Sequence, residues 1–174
     1  SSKLNISDEK NNVRGSFQET KIENGFIVLT YNNQSPANQT VKRNIESNFI
    51  QFHFCSSGST DFVFNNGNYR LSLSAENSLL LYNPQRELPI HLEAESHCQL
   101  VTIVISIKKF HGLFSQEADY ITFLSDDNKD KKYYKDGKIN PSMSIVLNQM
   151  LNYSLNNSIQ NLYFQAKALE LLSL

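Results

Sequence analysis

The stretch Gln99-Leu100-Val101-Thr102-Ile103-Val104-Ile105-Ser106-Ile107 decides the fold. It is dominated by β-branched residues and is the most β-prone run in the chain, so it is expected to form a central strand. A second strand signal, Phe49 to Cys55, places Phe49, Gln51, His53 and Cys55 on one face and Ile50, Phe52 and Phe54 on the other. Both faces carry bulk, which suits a closed or sandwiched sheet rather than an open surface.

Shorter signals surround these two. Phe17–Glu23 and Phe26–Tyr31 flank Asn24-Gly25, the favoured sequence for a two-residue type I′ turn, and so read as a hairpin. Phe62–Phe64 and Tyr69–Leu73 flank Asn65-Asn66-Gly67, where glycine is available for a left-handed position. Leu79–Tyr82 and Leu88–Leu92 complete the array, while the Asn-rich segment Asn32–Asn44 reads as a loop. Short strands at regular spacing, with turn chemistry and no long helices between them, predict an antiparallel barrel or sandwich.

Beyond Lys108 the period changes. Lys109–Gln116 and Ala118–Leu124 read as short helical or irregular pieces, and Ser125–Lys138 as a charged loop. Asn140-Pro141 is a helix start, with Asn as N-cap and Pro in the first turn. Met143, Val146, Leu147, Met150 and Leu151 then share a helix face, and after Asn156-Asn157-Ser158 a second stripe runs through Leu162, Ala166, Leu169 and Leu172. Leu169 to Leu174 contain no stop signal, so the helix is expected to continue beyond them in a longer protein. The predicted layout is a flexible arm over 1–12, a β domain over 13–125, a charged loop over 126–139 and a helix pair over 140–174.

Composition narrows the function. The chain has 174 residues, with 16 Lys and Arg against 17 Asp and Glu. The only basic cluster, Lys129, Lys131, Lys132 and Lys135, is interleaved with Asp126, Asp127, Asp130 and Asp136. Its charges nearly cancel, so this segment is not expected to hold a nucleic-acid backbone. No apolar run approaches the length of a membrane span and no secretory leader opens the sequence. With only Cys55 and Cys98, a disulfide framework is not expected, and the reading is a protein of the reducing cytoplasm without a membrane partner.

The terminal helix sequence Leu162-Tyr163-Phe164-Gln165-Ala166-Lys167-Ala168-Leu169-Glu170-Leu171-Leu172 and the strand Gln51-Phe52-His53-Phe54-Cys55-Ser56-Ser57-Gly58 resemble the N-terminal half of AraC/XylS-type bacterial transcriptional regulators. The likeness is strongest to the siderophore-regulator branch. It implies a cupin-like antiparallel β-barrel that senses a small molecule, followed by an antiparallel helix pair that forms a homodimer. It also implies a helix-turn-helix DNA-binding domain absent from this chain, DNA being bound only through that domain. Some members fold an N-terminal arm over the ligand, a role open to the residues before Val13.

Phe52, Phe54, Tyr69, Tyr82, Arg86 and His91 are the expected ligand-binding residues, aromatic walls with polar anchors at the barrel interior or mouth. Arg86 could pair with an anionic ligand group. If the other face of the strand points inward, His53 and Cys55 replace the phenylalanines. Met143, Leu147, Met150, Leu151, Leu162, Ala166 and Leu169 are the expected dimerisation residues, with internal core as an equal alternative.

No catalytic residue, metal or cofactor is expected. His53-Phe54-Cys55 is a broken form of a cupin His-x-His pair, and His91 and Glu93, joined by His97 or His111, make only a chance-level ligand set. A Cys55–His53 dyad lacks an orienting third group. The alternative functions are a stand-alone metal-dependent cupin enzyme and a lectin-like β-sandwich.

Overall fold

In the computed structural model, which describes residues 2–4, 16–113, 133–153 and 157–174, the strand signals resolve into eleven strands among those residues. In chain order they are β1 (Ser2–Leu4), β2 (Ser16–Glu23), β3 (Phe26–Asn32), β4 (Gln39–Arg43), β5 (Phe49–Ser57), β6 (Ser59–Phe64), β7 (Tyr69–Ser74), β8 (Asn77–Tyr82), β9 (Ile90–Ala94), β10 (Gln99–Ser106) and β11 (Tyr133–Lys138). Helix α1 (Ile107–Leu113) follows β10, and α2 (Pro141–Leu151) and α3 (Asn157–Ser173) end the chain.

Every strand pairing is antiparallel. The strands form a seven-stranded sheet, β1-β2-β3-β10-β5-β8-β11, and a four-stranded sheet, β4-β9-β6-β7. The two sheets face each other without closing. The mainly β, antiparallel architecture with C-terminal helices is the one expected, but the two sheets stay open where a closed barrel was expected.

Strand alternation divides the core into two layers. Ile27, Leu29 and Tyr31 of β3, Cys55 of β5, Leu79 and Leu81 of β8, and Leu100 and Val104 of β10 face the small sheet, meeting Val41, Phe62, Leu73, Ile90 and Leu92. Phe26, Val28, Ile50, Phe54, Tyr82, Val101, Ile103 and Ile105 face the other way and pack on Phe110 of α1, Val146, Leu147 and Met150 of α2, and Phe164, Ala168 and Leu171 of α3. The result is helices, large sheet, small sheet. Each fully buried Leu, Ile or Phe contributes about 1.5–3 kcal/mol relative to exposure, so strands apolar on both faces anchor the whole arrangement.

The Asn140 side chain accepts a hydrogen bond from Met143 N at 2.8 Å and Pro141 opens α2, as the sequence predicts. Other expectations need correction. The Asn32–Asn44 segment contains β4, held by pairing with β9 rather than by its own propensity. The charged loop contains β11, an edge strand on β8. Ser2–Leu4 of the expected arm pair with Leu4↔Phe17 and Ser2↔Glu19; residues 5–12 lie outside the described residues, as do 114–124 and most of the basic cluster. In the first hairpin only Gly25 takes positive φ, at +82°, so the turn is not type I′, and a bulge between Lys21 and Glu23 takes up the difference. Asn65, Asn66 and Gly67 are all left-handed. Asn157 and Ser158, expected as an interruption, already belong to α3.

Gly58 separates β5 from β6 at φ +72°, and a Cβ there would meet the Cys98 Cα at 2.9 Å. Gly67, at φ +94°, has open space around it. An alanine at either position carries left-handed strain of about 1 kcal/mol. Gly58→Ala must also displace backbone, so it is expected to lower stability at least twice as much as Gly67→Ala in urea unfolding. Equal losses would show that the Gly58–Cys98 approach yields easily.

Candidate functional site

At one end of the sandwich the sheets part around a cleft of about 240 Å³. Its floor is apolar: Ile27 from β3, Val104 from β10, Phe49 at the start of β5, and Ile45. Its rim is polar: Arg43, Asn44, Glu46 and Glu87. Strand alternation accounts for the floor, since Ile27 and Val104 are cross-strand partners on the inward face.

Arg43, the last residue of β4, turns inward and spans the sheets. Its Nε donates to Glu19 Oε1 of β2 at 2.7 Å and its Nη1 to the Asn44 carbonyl at 2.5 Å. Glu87 lies in the β8–β9 loop, whose shape two side chains set. Asn83 Oδ1 accepts from Gln85 N at 3.0 Å, forming an Asx turn. Gln51 Nε2, from β5, donates to the Leu88 carbonyl at 2.6 Å.

That bond fixes a chain of polar groups in the core. With its nitrogen donating to Leu88, Gln51 presents Oε1 as acceptor to His53 Nε2 at 2.9 Å. Nε2 therefore carries the proton, and Nδ1 accepts from the Thr102 hydroxyl at 2.7 Å. The ring also packs on Phe62, with centroids 4.5 Å apart. Burial holds the His53 pKa down to about 3, in keeping with this neutral tautomer.

Toward the opposite end, Tyr31 donates to Gln39 Oε1, and burial pushes the phenol upward. Gln39 Nε2 is buried with no partner among the described residues. Cys55 and Cys98 are buried, free and in contact, and that contact together with burial pushes the Cys98 thiol up.

The six expected ligand residues do not line the cleft. Phe52, Phe54 and Tyr82 gather on the helix side of the large sheet, where Phe52 lies 5.6 Å from the Phe110 ring. The face of β5 that points between the sheets is the other one, carrying Gln51, His53 and Cys55. Tyr69 is 55% exposed at the start of β7, near Phe64. Arg86 is exposed in the β8–β9 loop. His91 lies on the outer face of the small sheet with Glu93, which is paired to Arg70 at 2.5 Å; burial and nearby Lys42 lower the His91 pKa. Sequence reading missed Arg43, Glu46 and Glu87 because loops and an edge strand carry them. Thr102, a lone hydroxyl in an apolar run, was the available signal for the buried chain.

The helix stripes are mainly internal. Leu147 and Met150 are 1% exposed in the core, and Met143, Leu151 and Leu169 pack against it. Leu147 and Met150 are thus core residues, with Met143, Leu151 and Leu169 partly buried beside them. Leu162, 69% exposed, and the exposed Ala166 remain on the outer face of α3, with Ile159 a turn away.

Among the described residues no three His, Cys, Asp or Glu side chains gather as a metal site, and no helix is long and apolar enough to cross a membrane. The His53 ring nitrogens are already engaged by Gln51 and Thr102, so His53 is not free to act as a base toward Cys55.

The domain is an open antiparallel sandwich with a cleft at one end and helices on its back. The chain belongs to the family described as the regulatory protein PchR N-terminal domain, which residues 14–174 match. This agrees with the AraC/XylS-type resemblance of the β5 and α3 sequences. Similar solved structures include ToxT from Vibrio cholerae, at TM-score 0.49 and 13% identity over 86% of this chain and 57% of that one. The EutQ protein of Clostridium difficile matches at TM-score 0.43 and 8% identity over 58% and 75%. The Cnp3 cupin domain of Schizosaccharomyces pombe matches at TM-score 0.41 and 11% identity over 63% and 78%. The match spans little more than half of the ToxT chain. Among curated proteins none matches the sequence.

Between the unfolded-state pKa of about 6.5 and the folded value of about 3, the unfolded chain takes up a proton at His53 that the native state refuses. Stability therefore falls as pH drops through this window, by about 2 kcal/mol at pH 5. Urea unfolding is expected to show this loss relative to pH 7.5 and a smaller one in His53→Gln. Nitrogen-15 chemical shifts should report the Nε2–H tautomer of His53 at pH 5; an imidazolium there would contradict the assignment.

Proposed function

We infer that this domain is the effector-sensing part of a cytoplasmic AraC-type transcription regulator, with a small molecule bound in the cleft. The observation that carries the reading is the cleft itself, apolar at its floor and polar at its rim, in a domain of a regulatory family. On this reading the domain is not an enzyme, and DNA is contacted by a separate helix-turn-helix domain. The cleft replaces the aromatic set Phe52, Phe54, Tyr69, Tyr82, Arg86 and His91 as the ligand site. Phe52, Phe54 and Tyr82 are assigned instead to transmission, because they join the large sheet to the helices.

The regulator acts as a homodimer through the outer face of its helix pair, where Ile145, Ile159 and Leu162 are 62%, 49% and 69% exposed. Apolar side chains presented this way suit a self-complementary contact. A ligand regulates only by differing in affinity for two arrangements of the helices relative to the sheet.

Ile27→Trp narrows the cleft from a half-buried position. In a fusion of this chain to a dimer-dependent DNA-binding domain, it is expected to abolish the reporter's response to effector while leaving the circular dichroism spectrum unchanged. A response that survives would remove the cleft from consideration. Leu162→Glu is expected to halve the mass seen in sedimentation without unfolding the domain, whereas Leu147→Glu unfolds it. A single-chain mass for the unsubstituted domain would refute the dimer.

A further inference from the structure

We propose that the ligand of the cleft is an amphipathic organic cation, an amine whose ammonium group lies between Glu46 and Glu87 and whose apolar body rests on the floor. The proposal depends on the cleft being the effector site and adds the chemical class of the effector.

Charge at the rim carries the argument. Three ionisable groups line it: Arg43, which is paired with Glu19 of β2, and the two carboxylates Glu46 and Glu87. The Arg43–Glu19 pair is closed within the fold, and a second guanidinium nitrogen is already spent on the Asn44 carbonyl. Among the described residues neither Glu46 nor Glu87 has an ion-pair partner. Arg86, the neighbour of Glu87 in sequence, is exposed and does not line the cleft. With the Arg43 charge met by Glu19 behind it, the rim presents the two unpaired carboxylates Glu46 and Glu87, and an arriving anion would face both with only one edge of Arg43 in its favour. An ammonium group meets attraction from each carboxylate, and the apolar floor beside them lowers the local dielectric and strengthens it.

The floor selects an organic cation over a metal ion. Ile27, Ile45, Phe49 and Val104 offer no ligating atom, and two carboxylates without a third His, Cys, Asp or Glu fall short of a metal set among the described residues. The same four side chains suit an alkyl or aryl body, and the Phe49 ring presents a surface on which a cation or an aromatic group can lie. A cleft of about 240 Å³ accommodates a molecule of the size of an aryl alkylamine.

Calorimetric titration of the 174-residue chain with 2-phenylethylamine, 3-phenylpropanoate and 3-phenylpropanol tests this directly. These probes share an aromatic body and differ in charge. The amine is expected to bind tightest, and E46Q/E87Q is expected to weaken it about tenfold while leaving the alcohol unchanged. If the anion binds as well as the amine, or if the double substitution leaves amine binding unchanged while Ile27→Trp abolishes it, the cationic class is wrong and the cleft remains the site. If Ile27→Trp leaves all binding intact, or no probe binds at millimolar concentration, the cleft assignment itself is overturned.

Discussion

The structure depends on one constraint: β5 and β10 pair along their length and must be covered on both faces. Their ladder runs from Gln99↔Ser57 to Ser106↔Phe49, and β3 and β8 flank it. Ile50, Val101, Ile103 and Ile105 are at most fractionally exposed. Neither face can stay wet, because each would expose a continuous apolar strip to water. The small sheet covers one side and the helices the other, so the three-layer order follows from two strands. The helices consequently spend most of their apolar stripe on the sheet, which is why Leu147 and Met150 belong to the core rather than to a partner.

The same constraint explains how much of the molecule was legible in its sequence. β10 was plain because an uninterrupted β-branched run has few other ways to bury itself, and α2 because Asn140 and Pro141 are local start signals. β4 and β11 were not, since an edge strand exposes one face and carries polar residues. Gln39–Arg43 and Tyr133–Lys138 become strands through β9 and β8, partners distant in the chain. The β5 face pointing between the sheets could not be chosen either. Period-two alternation separates Ile50, Phe52 and Phe54 from Gln51, His53 and Cys55, but with bulk on both sides it does not say which set faces inward.

The candidate cleft was less legible than the fold for a related reason. Aromatic residues drew attention as ligand walls, yet in this protein they mostly join sheet to helix. The cleft is assembled from Arg43, Ile45, Glu46 and Phe49 on one stretch, Glu87 on a loop, and Ile27 and Val104 on central strands. Only tertiary packing brings these together. Polar residues inside the apolar strands were the better clue. Gln51, His53 and Thr102 interrupt runs that gain nothing from a lone polar group, and their burial is tolerable only if they bond one another.

That polar chain also ties the loop beside the cleft to the helix side of the domain. Gln51 ties the loop behind Glu87 to β5 through the Leu88 carbonyl, and His53 and Thr102 tie β5 to β10 from the same side. Each side-chain nitrogen and oxygen in the chain has a partner, so a shift of the loop either carries β5 with it or leaves a buried group unsatisfied at a cost of about 1–3 kcal/mol. The residues between Gln51 and Cys55 that point the other way are Phe52 and Phe54, set against α1 and the helix pair. Movement at the loop is thereby coupled to the surface on which the helices rest. A coupling of that size is enough to change a two-state equilibrium by roughly one to two powers of ten, within the usual range of allosteric linkage.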